Sequence, residues 1–404
     1  MERVVLRRAT LEERRTVDVV IERGRITSVD DASSAASPDL DLDLDLDLDG
    51  YVLLAAPVEP HAHLDKAFLA DLVPNATGDL IGAILAMDAA RSQINVAETI
   101  LRAERAARLM AANGFRAVRT HVDVNRDNGI DGVEALGEVR RRLADVIDIQ
   151  IVALAAHPIA TSGAADSRGL IHDAIDAGAD LVGGCPHLEP DGNSLASTEA
   201  LLGIASEHEV GVDLHTDETL EPTADGLAEL AAMVTATGFE HPVTASHCVS
   251  LGARSEPDQQ RIAEAVAAAG IAVVALPATN LYLQGRAHRQ STPRGVTAVR
   301  ALRAAGATVA AGADNLHDPF NPFGRACPFE TASLMVLTTH LLPAEAWHTV
   351  TDDAAAAIGL DRQTIAPGQP ADLLAVRAGS LREAIAFGPA DRIVWRAGQR
   401  QDRL

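Results

Sequence analysis

Pro60-His61-Ala62-His63-Leu64 sets two imidazoles two positions apart, directly after an apolar run over residues 51–58. In an extended strand, side chains at i and i+2 point the same way. His61 and His63 would therefore stand side by side at a strand end, as half of a metal site. A borderline divalent cation such as zinc or ferrous iron suits two imidazoles. The missing ligands must come from elsewhere in the chain. Three later apolar runs end in residues of the right kind: His215 in Asp213-Leu214-His215-Thr216-Asp217-Glu218, His247 in Thr244-Ala245-Ser246-His247-Cys248, and Asp314 in Gly312-Ala313-Asp314-Asn315. A lone histidine at a strand end is ordinarily a hydrogen-bonded core or rim residue. Four histidines and an aspartate at one mouth point instead to a metal.

The runs that carry these residues alternate with Ala-rich helical stretches. Strand patterns fall at 51–58, 116–123, 148–155, 181–184, 211–215, 242–247, 271–276 and 308–314. Helical patterns separate them at 97–112, 133–143, 169–177, 197–208, 224–237, 257–269 and 296–305. Eight such units predict an α/β fold, a closed (β/α)8 TIM-like barrel over residues 56–365. In such barrels the loops at the C-terminal strand ends carry the chemistry. Outside this region, residues 4–6 and 17–21 are β-type runs, broken by the turn signal Glu22-Arg23-Gly24-Arg25. Further β runs fall at 373–376 and 392–395. Residues 1–55 and 366–404 are expected to join in one small β-sandwich domain, split around the barrel. Residues 39–49 alternate Asp and Leu strictly. A two-residue slip of such a strand looks identical, so its register is poorly fixed. It reads as an acidic spacer with only its last residues in a sheet.

Of the 404 residues 47% are hydrophobic and only 3% aromatic, so the core must be mainly Ala, Val, Leu and Ile. A net charge of −23 argues against nucleic acid and anionic membrane surfaces as partners. A small-molecule partner is expected instead. Cys185, Cys248 and Cys327 are far apart and odd in number, which predicts no disulfide framework. The opening stretch lacks a signal-peptide apolar region, and no run reaches membrane-spanning length. A cytoplasmic protein is expected, with homo-oligomerisation left open.

The order His-x-His, His, His, Asp on strands one, five, six and eight resembles the amidohydrolase superfamily, and within it the cytosine deaminase-like branch. The strings that carry the resemblance are Val58-Glu59-Pro60-His61-Ala62-His63-Leu64-Asp65, Arg119-Thr120-His121-Val122-Asp123-Val124, Asp213-Leu214-His215-Thr216-Asp217-Glu218, Thr244-Ala245-Ser246-His247 and Leu283-Gln284-Gly285-Arg286. It spans nearly the whole chain, and a β-sandwich split between the two ends is also that family's layout. The resemblance implies a hydrolytic deaminase releasing ammonia from an amino-substituted N-heterocycle or cyclic amidine: cytosine-like, isocytosine, creatinine, an aminotriazine or a pterin. Two-metal members of the superfamily bridge their ions with a carboxylated lysine from a middle strand. The single lysine here, Lys66, lies on the first loop. One divalent ion is therefore expected, zinc or iron with manganese also suited, held by His61, His63, His215 and Asp314. Glu189, after the fourth strand, keeps a bridging carboxylate open.

A divalent ion lowers the pKa of bound water from about 15.7 to roughly 7. Asp314 would take that water's proton, and His247 would hold the hydroxide. By resemblance, Glu218 would protonate a ring nitrogen beside the attacked carbon. His157, Gln284, Asn315 and Lys66 are the expected substrate contacts. His121 and Asp65 would orient the ligands and the first loop. Cytosine deaminases carry a glutamine at the end of strand three, where this chain has His157 in Ala155-Ala156-His157-Pro158. Histidine presents its donor and acceptor at a different reach, which argues against cytosine itself. The Asp314-Asn315 pair is similar to members that remove alkylamines from triazines, whereas Glu218 fits deamination. Release of an alkylamine, opening of a cyclic amide and a catalytically silent metal-binding scaffold are the competing readings. The loop over residues 315–324 is expected to cover the pocket.

Overall fold

The computed structural model describes residues 3–32, 44–161 and 164–401. Two sheets organise it. The smaller is drawn from both ends of the chain: β1 (Arg3–Thr10), β2 (Thr16–Glu22), β3 (Arg25–Asp31), β4 (Leu44–Asp47) and β5 (Tyr51–Ala55). The larger comprises β6 (Val58–Ala62), β7 (Ala117–Val124), β8 (Asp148–Ala155), β9 (Leu181–Gly184), β10 (Gly211–Thr216), β11 (Val243–His247), β12 (Ala272–Ala275) and β13 (Val309–Ala311). After it, β14 (Leu373–Arg377), β15 (Arg392–Arg396) and β16 (Gln399–Arg400) return to the smaller sheet.

Strands β6 to β13 pair in parallel in sequence order. The first and last meet where Asp314 N–H donates to the His61 carbonyl at 3.0 Å and His63 N–H to the Asp314 carbonyl at 3.2 Å. The ring is thus closed through the very residues expected to bind the metal. Helices cover the outside. In Val96–Ala112, buried Arg102, Ala103, Ala106, Ala107, Met110 and Ala111 recur at three- and four-residue steps, one face of a 3.6-residue period. Asn95 caps its N-terminus by accepting from Glu98 N–H. Arg102 donates to the carbonyls of Asp65 and Ala67 at 2.7 and 3.0 Å, so this helix also fixes the loop that follows His63.

The apolar run at 51–58 is two strands, not one. Ala56-Pro57 breaks it, because proline has no N–H for a ladder. The first half pairs with β14 and the second opens the barrel. Along β5, Leu53 faces the smaller sheet's own core with Leu6, Val19, Leu373 and Trp395. Its alternate neighbours Val52 and Leu54 join the barrel's core. Leu374 and Val376 of β14 do the same, so β5 and β14 dock the sheet on the barrel. Gly114, at φ +102°, sits where a Cβ would lie 2.7 Å from Leu374 Cδ2. The small sheet is one hydrogen-bonded path, β16-β15-β14-β5-β1-β2-β3, with β4 added on β1. Its far edge returns toward β14, since Ile26 N–H donates to Gln369 O and Gly368 N–H to Ile26 O.

Of the Asp-Leu repeat, residues 39–43 lie outside the described residues, and Leu44–Asp47 forms β4, parallel to β1. Arg7 binds Asp45 at 2.7 Å and Arg8 pairs with Asp47. These two ion pairs tie the acidic side chains of β4 to β1. No helix among the described residues is long and apolar enough to cross a membrane.

Candidate active site

His61, His63, His215 and Asp314 converge at the C-terminal mouth of the barrel, all buried. Asp314 Oδ1 is 3.3 Å from His63 Nε2 and 3.7 Å from His61 Nε2. His215 Nε2 is 3.3 Å from His63 Nε2. Four ligands on bonds of about 2.0–2.1 Å would stand roughly 3.3–3.4 Å apart at tetrahedral corners, which is close to the two shorter of these separations. Two imidazole lone pairs facing each other repel unless a proton or a cation lies between them. His61 Nε2 and Asp314 Oδ2 are buried with no hydrogen-bond partner, as atoms reserved for a ligand would be. Glu189 lies outside this group: its carboxylate accepts from His157 Nδ1 at 2.9 Å and from the N–H groups of Ile159 and Ala160 at 3.1 Å.

The backbone at the mouth is forced. His247, Cys248 and Asp314 have φ of +69°, +49° and +65°, left-handed values that cost a non-glycine residue about 1–3 kcal/mol each. They persist because the neighbours over-determine them. Cys248 N–H donates to Thr216 O at 2.8 Å, and Thr297 Oγ1 donates to His247 O. The result turns His247 out of its strand and over the ligand group.

His247 Nδ1 lies 3.0 Å from Asn280 Oδ1. An amide oxygen only accepts, so the hydrogen sits on Nδ1 and the Nε2 lone pair, buried and unpartnered, faces the site. Glu218 Oε1 is 3.6 Å from the same Nδ1. Burial pushes the Glu218 carboxyl up to about 7, with the nearby Asp314 charge adding to the effect and His247 opposing it. Such a group is partly protonated at neutral pH and can give up a proton there. Gln284 is not at the cavity wall; its amide donates to the Glu218 carbonyl at 3.1 Å and so fixes the loop that carries the acid.

A cavity of about 370 Å3 opens above the ligand group. Its lining includes the polar His157, Glu218, His247, Asn315 and Lys66 and the apolar Ile81, Ile84, Met87, Leu154, Leu188 and Phe320. Helix Leu80–Ala90 provides Ile81, Ile84 and Met87 and is capped by Asp79, which accepts from Gly82 N–H. With its Nδ1 on Glu189, His157 leaves Nε2 buried and unpartnered. Asn315 is held by Thr279 Oγ1 at 3.2 Å and by Asp318 Oδ2 at 2.9 Å. Phe320 of the 315–324 loop reaches the cavity with it.

Lys66 is buried, and its ammonium bridges Asp65 at 3.1 Å and Asp123 at 2.9 Å. Burial alone would lower its pKa, but the two carboxylates outweigh it and hold the pKa above the ordinary lysine value. Asp65 also accepts from Asp123 N–H, which ties the first loop to β7. His121 stacks under His61 with ring centroids 3.9 Å apart. Away from the mouth, His172 and His208 hydrogen-bond each other at 2.8 Å. The asparagine at 280 and the helix Leu80–Ala90 carry no motif of their own in the sequence.

A sequence model of the amidohydrolase family matches residues 70–400. The chain is similar to a pterin deaminase of Rhizobium rhizogenes, 35% identical over 351 residues, which are 85% of this chain and 79% of that protein. Its fold superposes on the crystal structure of 5-methylcytosine deaminase from Klebsiella pneumoniae liganded with 5-fluorocytosine, with a TM-score of 0.89, 28% identity and coverage of 100% and 98% of the two chains. It also superposes on N-isopropylammelide isopropylaminohydrolase from Burkholderia multivorans, with a TM-score of 0.84, 29% identity and coverage of 99% and 98%.

Proposed function

This chain belongs to the amidohydrolase family, and from that membership we propose that it is a metal-dependent hydrolytic deaminase releasing ammonia from an amino-substituted N-heterocycle, with a pterin-type ring as the substrate class. The observation that carries the reading is a carboxyl poised near 7, Glu218, beside a cluster of buried metal-type ligands. His61, His63, His215 and Asp314 would hold one divalent ion, zinc, iron or manganese, which would make hydroxide available near pH 7.

The chain's own groups then have defined tasks. The free Oδ2 of Asp314 accepts the proton of the attacking water and delivers it to the departing amino group. His247, steadied by Asn280, keeps a lone pair on Nε2 for the hydrogen of that water. Glu218 passes its proton to the ring nitrogen next to the attacked carbon and is restored by the hydrogen left on the attacking oxygen when the carbonyl forms; help of this kind contributes about 10²–10⁴-fold. His157, its Nδ1 hydrogen engaged by Glu189, offers Nε2 as an acceptor to a ring N–H. Asn315 and Lys66 line the same face. The second, apolar ring edge of a bicyclic substrate would rest on Ile84 and Met87. The 35% identity to a pterin deaminase supports a bicyclic ring over a lone pyrimidine.

A second reading is release of an alkylamine, supported by the 29% identity to N-isopropylammelide isopropylaminohydrolase and by the apolar lining residues. Ammonia release by the metal-loaded enzyme from pterin, cytosine, isocytosine, creatinine and an aminotriazine tests the first reading. Isopropylamine release from an N-isopropyl triazine tests the second. Ammonia from pterin, with the other amines turned over more slowly, supports the proposal. Isopropylamine release with no ammonia from any ring overturns it in favour of the second.

A further inference from the structure

Two buried polar residues behind the ligand group have no part in the chemistry above. Ser246 precedes His247 on β11, and Asp213 lies two positions before His215 on β10. Ser246 Oγ is 2.8 Å from His61 Nδ1 and 2.9 Å from Asp213 Oδ1. Asp213 Oδ2 in turn accepts from Arg119 Nη1 at 2.9 Å. All four side chains are buried inside the barrel.

The direction of this chain of hydrogen bonds follows from counting hydrogens. A hydroxyl has one to give. A carboxylate held in an ion pair with arginine has none, so the Ser246 hydrogen points to Asp213. The Ser246 oxygen is then an acceptor toward His61, which requires the imidazole hydrogen on Nδ1. A neutral imidazole with hydrogen on Nδ1 has a bare lone pair on Nε2, the nitrogen turned toward Asp314. The other two imidazoles lack this support. His63 Nδ1 faces the Lys66 ammonium at 3.3 Å, a group that cannot accept, and His215 Nδ1 has no hydrogen-bond partner among the described residues.

We infer that Arg119, Asp213 and Ser246 form a lock that keeps the His61 hydrogen on Nδ1 and so presents Nε2 to the cation. They are positioning residues, three side chains deep. The inference depends on the ligand group being a metal site but not on which heterocycle enters the cavity. Loss of a group that orients a metal ligand typically costs 10–100-fold in metal affinity.

Zinc affinity measured by chelator competition tests it. Ser246→Ala should bind zinc 10–100-fold more weakly than the parent; equal affinity overturns the lock. Wild-type protein labelled with 15N-histidine and loaded with 113Cd gives a reading that needs no variant and that a merely structural role would not move. His61 should show a protonated Nδ1 and a cadmium coupling through Nε2. A bare Nδ1, or a coupling through Nδ1, overturns the inference even if Ser246→Ala fails to fold. Failure of every substrate in the deamination panel would count against the deaminase but would leave the zinc affinity and the His61 spectrum as tests of the lock.

Discussion

Glu218→Gln separates the chemical use of the acid from its cost to the fold. Glutamine keeps the shape and removes both the proton and the charge. At pH 7 kcat for ammonia release should fall about 10²–10⁴-fold, the range for a lost general acid, with metal content unchanged because Glu218 is not among the ligands. Stability should move the other way. A carboxyl with a folded pKa of about 7 and an ordinary value of 4.5 binds more protons folded than unfolded between those pH values. Ionising it therefore weakens the fold, and the penalty grows from nothing below 4.5 to completion above 7. At about 1.36 kcal/mol per pH unit the gap amounts to about 3 kcal/mol. In chelator-treated protein, the variant should outlast the parent against denaturant at pH 8.5, and the advantage should shrink at pH 5.5. The parent's own activity should decline above pH 7 as Glu218 loses its proton. Turnover by the variant at the parent rate would refute the proton-donor role. An identical denaturation midpoint at pH 8.5 would refute the account of burial raising the pKa.

His247→Asn should lower kcat about 10²–10³-fold, as for loss of one stabilising hydrogen-bond group, with metal bound as in the parent by elemental analysis; a parent-like kcat would remove His247 from the reaction. His157→Gln should shift the kcat/KM ratio of pterin to cytosine toward cytosine by tenfold or more, since a site built around one polar edge discriminates against another; an unchanged ratio would mean His157 does not read the substrate. Gly312→Ala would put a Cβ 2.5 Å from Glu59 Oε1 and 3.2 Å from the His61 carbonyl. Such crowding should cost about 1–3 kcal/mol in denaturant unfolding, and an unshifted midpoint would show that the first and last strands yield there.

The barrel and the side chains gathered at its mouth were legible because both rest on period two. Polar residues recur two positions apart on the strands that point inward: Glu59 and His61, Arg119 and His121, Asp213 and His215, Thr244 and Ser246. The deeper member of each pair lies within the strings that carried the resemblance but was given no role, so the support beneath the mouth went unread. The break at Pro57 was hidden because β5 is buried on both faces and reads as one apolar run with β6. Helix Leu80–Ala90 escaped notice because it is apolar nearly all round and shows no 3.6-residue alternation. The partners of His157 and Lys66 could not be read at all: Glu189 is 32 residues from the first and Asp123 is 57 from the second, and only the closed barrel brings them together.

The solitary lysine has a practical side. Acylating labels, aldehyde cross-linkers and amine-coupled sensor chips attack accessible uncharged amines, and along a polypeptide the side chains that offer them are lysines. Lys66 is 3% exposed and clamped as an ammonium between Asp65 and Asp123, and every other basic side chain is arginine or histidine. Lysine-directed conjugation should therefore leave the outside of this enzyme untouched, and any ε-acylation that mass spectrometry did detect would report that the mouth of the cavity had come apart.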